Sequence, residues 1–208
     1  GWLTFLHGRF WRASERMEDA PAPESWPEIV AIIPARDEAE TIGEAMKRGR
    51  KFAAKGYVFS FDMLGEAAVT KTDAQRYFHS YLDAIQHIST HSRTDITPME
   101  NPAISVKLSA LHPRYEYAQQ QQTIARLAPQ LLALAEAAMA ANITFTIDAE
   151  EAERLDISLD IFEQVFRNPA LDHWNGFGLA IQAYQKRAPA VIEWLEALSN
   201  NLGRVIPV

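Results

Sequence analysis

Residues 103–115, AISVKLSALHPRY, decide the fold prediction, because here an apolar segment is followed at once by charged and titratable side chains. Lys107 interrupts the apolar run, and His112 and Arg114 come after it. A lysine within an apolar strand is costly to bury unless an acid pairs with it. The stretch therefore predicts a buried strand whose carboxyl end carries functional groups.

Three further apolar segments, at 57–64, 143–151 and 176–184, also end in polar side chains. Amphipathic helices are predicted between the strands, one with Thr70 and Asp73 as its capping box and the next interrupted or begun again at Pro129. Residues 204–208 are predicted to start another strand. This alternation indicates parallel βα units with right-handed crossovers. Polar groups at successive strand ends favour a (β/α) barrel, since a doubly wound sheet concentrates them at one crevice. The groups that end these segments are Asp62 and Glu66; Asp148, Glu150 and Glu151; and Gln182, Tyr184, Lys186 and Arg187.

The predicted architecture is α/β, a partial (β/α)8 TIM-like barrel of about the first four to five βα units. An extra N-terminal strand–helix segment precedes it, with IVAIIP (29–34) as the strand and residues 35–56 as a helix that stops at Gly56. The expected domains are a tail and proline-rich linker at 1–28, the extra segment at 29–46 and the barrel at 47–208. The aromatic and basic residues 1–16 suit either peripheral membrane association or a loosely docked terminus.

Composition excludes several functional classes. The chain has 20 basic and 27 acidic residues, a formal charge of −7 and no basic run, which argues against nucleic-acid binding. It has no cysteine, so disulfides and thiolate metal sites are excluded, and a reducing, cytoplasmic location is mildly favoured. His87 and His91 have metal-like spacing but lack a neighbouring glutamate and a third ligand, so we expect a surface pair and no metal.

The strand-end residues leave alternatives open. Lys107 and Asp148 occupy matching places in successive units, so they form either a structural ion pair or a catalytic pair. Gln182 suits the polar edge of a flat heterocycle, or is a satisfied core glutamine. Lys186 and Arg187 form either a phosphate site or a solvated loop.

From about residue 47 onward, the chain closely resembles the proline dehydrogenase domain of proline utilisation A flavoenzymes. Four motifs carry the resemblance, in the family's order: FSFDMLGEAAVT (59–70), ISVKLSALHPRY (104–115), TIDAEEAERLDISLDIFE (146–163) and WNGFGLAIQAYQKR (174–187).

The resemblance implies a (β/α) barrel that holds FAD and oxidises L-proline to pyrroline-5-carboxylate. Lys107 and Asp148 would be the catalytic pair beside the flavin. The family's later strands, with further flavin contacts and paired arginines for the substrate carboxylate, lie beyond residue 208. We therefore expect the isolated chain to bind FAD weakly or not at all, to be inactive, and to offer open sheet edges for oligomerisation. The other implied contacts are Ala149 and Gln182 to the flavin, and Asp62 and Glu66 to the substrate.

Residues 8–45 instead resemble the start of family 2 glycosyltransferases, especially the hopanoid-associated, membrane-linked kind. AIIPARDEAETI (31–42) would be the first nucleotide-binding strand and loop, with Asp37 and Glu38 near the nucleotide. No Asp-x-Asp metal motif follows. The hypothesis is a fusion of two fragments, and the alternative functions are a glycosyltransferase-like protein or a non-enzymatic chimeric remnant.

Overall fold

A computed structural model describes residues 30–36, as a backbone strand, and residues 57–64 and 67–208. The strands are β1 (Val30–Arg36), β2 (Val58–Leu64), β3 (Ala103–Val106), β4 (Phe145–Ile147) and β5 (Phe177–Leu179). The helices are α1 (Lys71–Ser89), α2 (Leu108–Leu111), α3 (Gln120–Ala140), α4 (Leu155–Phe166) and α5 (Ala188–Leu202). Short 3-10 turns lie at Pro98–Glu100, Tyr117–Gln119, Ala152–Arg154 and Pro169–Leu171.

The five strands form one parallel sheet in the order β1-β2-β3-β4-β5. Each strand pairs with the next along the chain, and the register places Asp62 beside Ser105 and Val106 beside Ile147. The order never reverses, as it would at the switch point of a doubly wound sheet. The prediction of an α/β fold with parallel βα units is confirmed, and the carboxyl ends of the strands meet at one edge.

The start of α1 follows from its sequence. Thr70 and Asp73 form the predicted capping box, in which the Asp73 amide donates to the Thr70 hydroxyl at 3.1 Å and the Thr70 amide donates to the Asp73 carboxylate at 2.8 Å. The buried face of the helix carries Tyr81, Ile85 and Ile88 against the sheet. α5 begins with Pro189 in its first turn and ends at Gly203, whose φ of 62° favours glycine.

Stacked phenylalanines join the sheet to α4. The Phe145 and Phe177 rings, on β4 and β5, lie 6.0 Å apart. Phe162 from α4 stacks on Phe177 at 5.1 Å and on Phe166 at 5.3 Å. All four side chains are buried. Their packing fixes α4 against β4 and β5.

The structure corrects two local predictions. Residues 108–111 were expected to continue the strand, but they form α2, and all four are buried. A short buried apolar run has no amphipathic period, so strand and helix cannot be told apart from it. Pro129 was expected to interrupt α3, but the helix continues through it. Pro129 is exposed, which lets water satisfy the backbone carbonyl that loses its helical partner.

Residues 204–208 were expected to start another strand, but they form an irregular segment against β5. The Leu179 amide donates to the Pro207 carbonyl at 3.1 Å. A Cβ on Gly178 would lie 2.0 Å from that oxygen, so glycine permits the close approach. The buried Arg204 guanidinium donates to the carbonyls of Phe166 and Trp174, and this anchors the segment.

No helix in the described part of the chain is long and apolar enough to cross a membrane. The predicted N-terminal tail and linker, the helix at 35–56 and its stop at Gly56 lie outside the described residues, apart from the backbone of β1.

Replacing Thr70 with alanine should lower the free energy of unfolding by about 1 kcal/mol, because the capping box loses its hydroxyl. The matched control is Thr72→Ala, since Thr72 is exposed in the first turn of the same helix. Urea denaturation followed by circular dichroism measures both. Equal effects of the two substitutions would contradict the capping assignment.

Candidate active site

A lysine held between two carboxylates lies at the carboxyl edge of the sheet. Lys107 Nζ donates to Asp62 Oδ1 and to Asp148 Oδ2, each at 2.8 Å. The side chains of Lys107, Asp62 and Asp148 are 25, 16 and 22% exposed, respectively. The pairing expected between Lys107 and Asp148 is therefore present, with Asp62 as a second partner.

Sheet register brings these three groups together, because Lys107 and Asp148 directly follow β3 and β4, and Asp62 lies within β2 beside Ser105. The Asp148 amide donates to the Val106 carbonyl at 2.9 Å, which extends the β3–β4 pairing to the acid beside Lys107. The backbone amide of Lys107 donates to the Tyr81 hydroxyl at 3.2 Å. Tyr81 lies on the buried face of α1, so this helix helps to hold the backbone of Lys107 in position.

Burial and pairing set the protonation of the cluster. Burial lowers the pKa of Lys107, but hydrogen bonds and charges from Asp148 and Asp62 outweigh it, so the net shift is upward and the lysine stays protonated. Burial raises the pKa of Asp148, and its hydrogen bond to Lys107 only partly opposes this. Burial also raises the pKa of the Tyr81 hydroxyl, which keeps it neutral.

An open cleft of about 870 Å³ adjoins the lysine. Ala149, Gln182 and Lys107 all line it, so the predicted flavin contacts and the predicted catalytic lysine share one space. Gln185 Nε2 donates to Gln182 Oε1. The Gln182 amide is therefore oriented, with its nitrogen left to donate elsewhere.

Glu150 and Arg154 join the loops beside the cleft. Glu150 lies in the loop after β4, and its Oε1 accepts from the backbone amide of Ser109, at the start of α2, at 3.0 Å. Arg154 donates to Glu150 Oε2 at 2.9 Å and lies 5.3 Å from the centre of the Tyr115 ring. These contacts hold the loop after β4 against the loop after β3.

Lys186 and Arg187 have different surroundings, although they were predicted as one unit. Arg187 donates to Asp156 at 3.1 Å and to the Ala152 carbonyl at 2.6 Å, so it joins the loop after β5 to α4. Lys186 is exposed at the cleft. Of these two residues, Lys186 is the one left to meet an anion there.

The structure brings together Asp62, Lys107, Asp148, Ala149 and Gln182. Glu66 lies outside the described residues. Other strand-end residues separate: His112 and Arg114 line a different groove. Tyr81 and Gln185 were not predicted as site residues. The i, i+3 spacing of Gln182 and Gln185 could have indicated that their side chains meet. For Tyr81 the sequence showed only helical periodicity.

Replacing Lys107 with methionine should lower the free energy of unfolding by about 1–3 kcal/mol at pH 7, because two partly buried carboxylates lose their partner. The raised pKa of Lys107 means that its contribution is fully present below its unfolded value of 10.5 and is lost as pH rises through the folded value. At about pH 4 the raised pKa of Asp148 favours protonation of that acid, which removes part of the unpaired charge, so the loss should shrink.

Chemical denaturation at both pH values measures this difference, with Lys186→Met as the exposed control. An equal loss at pH 7 and pH 4 would show that packing alone explains the effect of Lys107→Met.

Comparison with known proteins now places these features in a family. Residues 45–208 match the family described as proline dehydrogenase. The bifunctional protein PutA of Salmonella typhimurium is 48% identical over 165 residues, covering 79% of this chain and 12% of that protein. PutA of Rhizobium meliloti is 43% identical over 169 residues, covering 81% of the chain and 13% of that protein.

Solved structures of Proline Utilization A proteins are similar to this chain. A crystal structure of a Proline Utilization A mutant from Bradyrhizobium japonicum has a TM-score of 0.70 at 46% identity, and the alignment covers 82% of this chain and 17% of that one. The fold alone is shared with Proline Utilization A from Bdellovibrio bacteriovorus, inactivated by N-propargylglycine, at a TM-score of 0.71, 20% identity and coverage of 82% and 18%.

The chain thus spans about an eighth of the length of these curated relatives. The family match begins at residue 45, and the glycosyltransferase resemblance of the preceding residues receives no support from the comparisons. The parallel βα units, the partly buried Lys107 cluster and these matches lead to one conclusion: the chain belongs to the proline dehydrogenase family.

Proposed function

We propose that this chain serves the FAD-dependent oxidation of L-proline to pyrroline-5-carboxylate. The observation that carries the proposal is the Asp62–Lys107–Asp148 cluster at the edge of an open cleft, in a chain of the proline dehydrogenase family. On this proposal, β2–β5 are part of a (β/α)8 barrel, and residues 47–208 form the catalytic unit. A cytoplasmic location, peripheral membrane association and oligomerisation stay predictions from the sequence.

The residues of the cleft fit a flavin. Ala149 offers a small side chain at a strand end, where a flat ring can approach the backbone. Gln182 offers an oriented amide, and Lys186 a cation that suits a phosphate. When bound, the flavin would supply the acceptor for the hydride that leaves the carbon next to the proline nitrogen.

The chain's own residues balance charge around the substrate. Two carboxylates and one ammonium leave a net charge of −1, which favours the positively charged ring nitrogen of proline. Asp148, whose pKa is raised by burial, suits acceptance of the proton that the nitrogen releases on oxidation. Lys107 holds both acids in place. Asp62 is proposed for the substrate end, together with Glu66.

A chimeric enzyme tests the activity. We expect Salmonella typhimurium PutA to keep proline-dependent dye reduction when its matching segment is replaced by this chain's aligned residues. Asp148→Asn should then lower kcat/KM at least tenfold, because the site loses a charge and a proton acceptor. Arg167→Gln, on the exposed end of α4, is the control. An active chimera that Asp148→Asn leaves unchanged would contradict the role of Asp148.

Flavin fluorescence quenching tests the cofactor contact directly on the 208-residue chain. Binding of FAD is expected to be weak, and Gln182→Leu should weaken it further by removing the amide donor. The comparison variant is Gln164→Leu, which is exposed on α4 and lines neither the cleft beside Lys107 nor the groove around His112. Identical dissociation constants for Gln182→Leu and Gln164→Leu would contradict the proposed flavin contact.

A further inference from the structure

A second groove lies between the start of α1, the loop at residues 112–114 and α3. It consists of two adjoining cavities of about 410 and 340 Å³, which share Lys71, His112, Pro113 and Arg126. No residue of either lining contributes to the cleft beside Lys107. Each cavity falls within the size range of small-molecule sites. The groove is therefore a separate space, with its own chemistry.

Positive charge gathers in this groove although the whole chain carries −7. Lys71, Arg114, Arg126 and His112 line it, and neither cavity has an acid in its lining. Among the arginines whose side chains the structure describes, Arg114 and Arg126 are the ones without an acid within ion-pair distance. The paired arginines are Arg76, Arg93, Arg154, Arg167, Arg187 and Arg204.

His112 connects these cations. Its Nδ1 accepts the backbone amide hydrogen of Arg114 at 3.2 Å, so in the neutral ring the other nitrogen, Nε2, carries the hydrogen and is a donor. Burial lowers the pKa of His112, and the charges of Arg126 and Lys71 lower it further. Lys71, His112 and Arg126 line both cavities, so the two positive side chains and the ring face one space.

The nearest acid of α1 is already engaged. Asp73 accepts from the Thr70 amide and hydroxyl at 2.8 and 2.7 Å, and lies 3.4 Å from Arg76. It is not available to neutralise Arg126 or Lys71. Because the capping box also satisfies the first turn of α1, the helix terminus does not supply the positive potential of this groove. The charged side chains supply it.

We propose that this groove binds a multiply charged anion of the phosphate class, either inorganic pyrophosphate or the phosphate end of a nucleotide. Three formal positive charges match a pyrophosphate group better than a single carboxylate. The two guanidinium forks supply the paired N–H donors that phosphate oxygens accept. A bound anion would also relieve the repulsion among Lys71, Arg114 and Arg126.

Isothermal titration of the purified 208-residue chain with pyrophosphate tests this site, without flavin or proline. We expect saturable binding that weakens as ionic strength rises, and at least tenfold weaker binding in Arg114→Gln and in Arg126→Gln. Both arginines are exposed, so folding should survive, and thermal melting checks it. Arg167→Gln, which removes an exposed arginine on α4, should leave the dissociation constant unchanged.

Two results would overturn the proposal: no saturable binding of pyrophosphate, or binding that Lys186→Gln abolishes while Arg126→Gln leaves it intact, since the anion would then occupy the cleft beside Lys107. Titration with ADP distinguishes the sources. Equal affinities identify the phosphate group as the whole ligand, and at least tenfold tighter binding of ADP identifies a nucleotide. Because proline oxidation is not measured, failure of the proposed function would leave these results unaffected.

Discussion

The pairing of Lys107 with Asp62 and Asp148 is the constraint on which this edge of the sheet depends. An ammonium group with a quarter of its side chain exposed is tolerated there because two carboxylates lie 2.8 Å away. The acids come from the two strands that flank β3, so the cluster requires consecutive parallel strands in one register. A slip of one residue would turn these side chains to the opposite face of the sheet. The ion cluster therefore forms only with this strand order and register, and it stabilises both.

Around this cluster, the loops after the strands are fixed by contacts between loops. Glu150 binds the backbone of Ser109, and Arg187 binds α4 through Asp156 and the Ala152 carbonyl. Gln185 orients the amide of Gln182 in the same way. A flat cofactor needs donors that are already in position, because donors that must first be ordered reduce affinity. The chain thus uses its charged loop residues mainly to shape the cleft, and leaves Lys186 as the exposed cation at its edge.

Much of the architecture was predictable from local patterns, and the errors have physical causes. Thr70 and Asp73 predicted the start of α1 correctly, because a capping box involves residues three apart in the chain. The helix at residues 108–111 was missed, because four consecutive buried residues show no period of either kind. Asp62 was expected only at the substrate end, whereas it also binds Lys107. Arg114 and His112 were expected at the same strand ends as Lys107, but the turn of α2 carries them to the second groove.

The sequence by itself determined the alternation of strands and helices, the positions of the polar strand ends and the need for an acid beside Lys107. These follow from periodicity and from the cost of burying a charge, both of which act over short stretches of chain. Only the tertiary structure decided that two acids share the lysine, that Tyr81 supports it from behind, and that Lys71, Arg114 and Arg126 meet around His112. The residues that meet at Lys107 lie 26 to 45 positions from it in the chain, and Lys71 lies 43 and 55 positions from Arg114 and Arg126. Their meeting depends on the register of β2, β3 and β4 and on how α1 and α3 pack, and no local pattern encodes either.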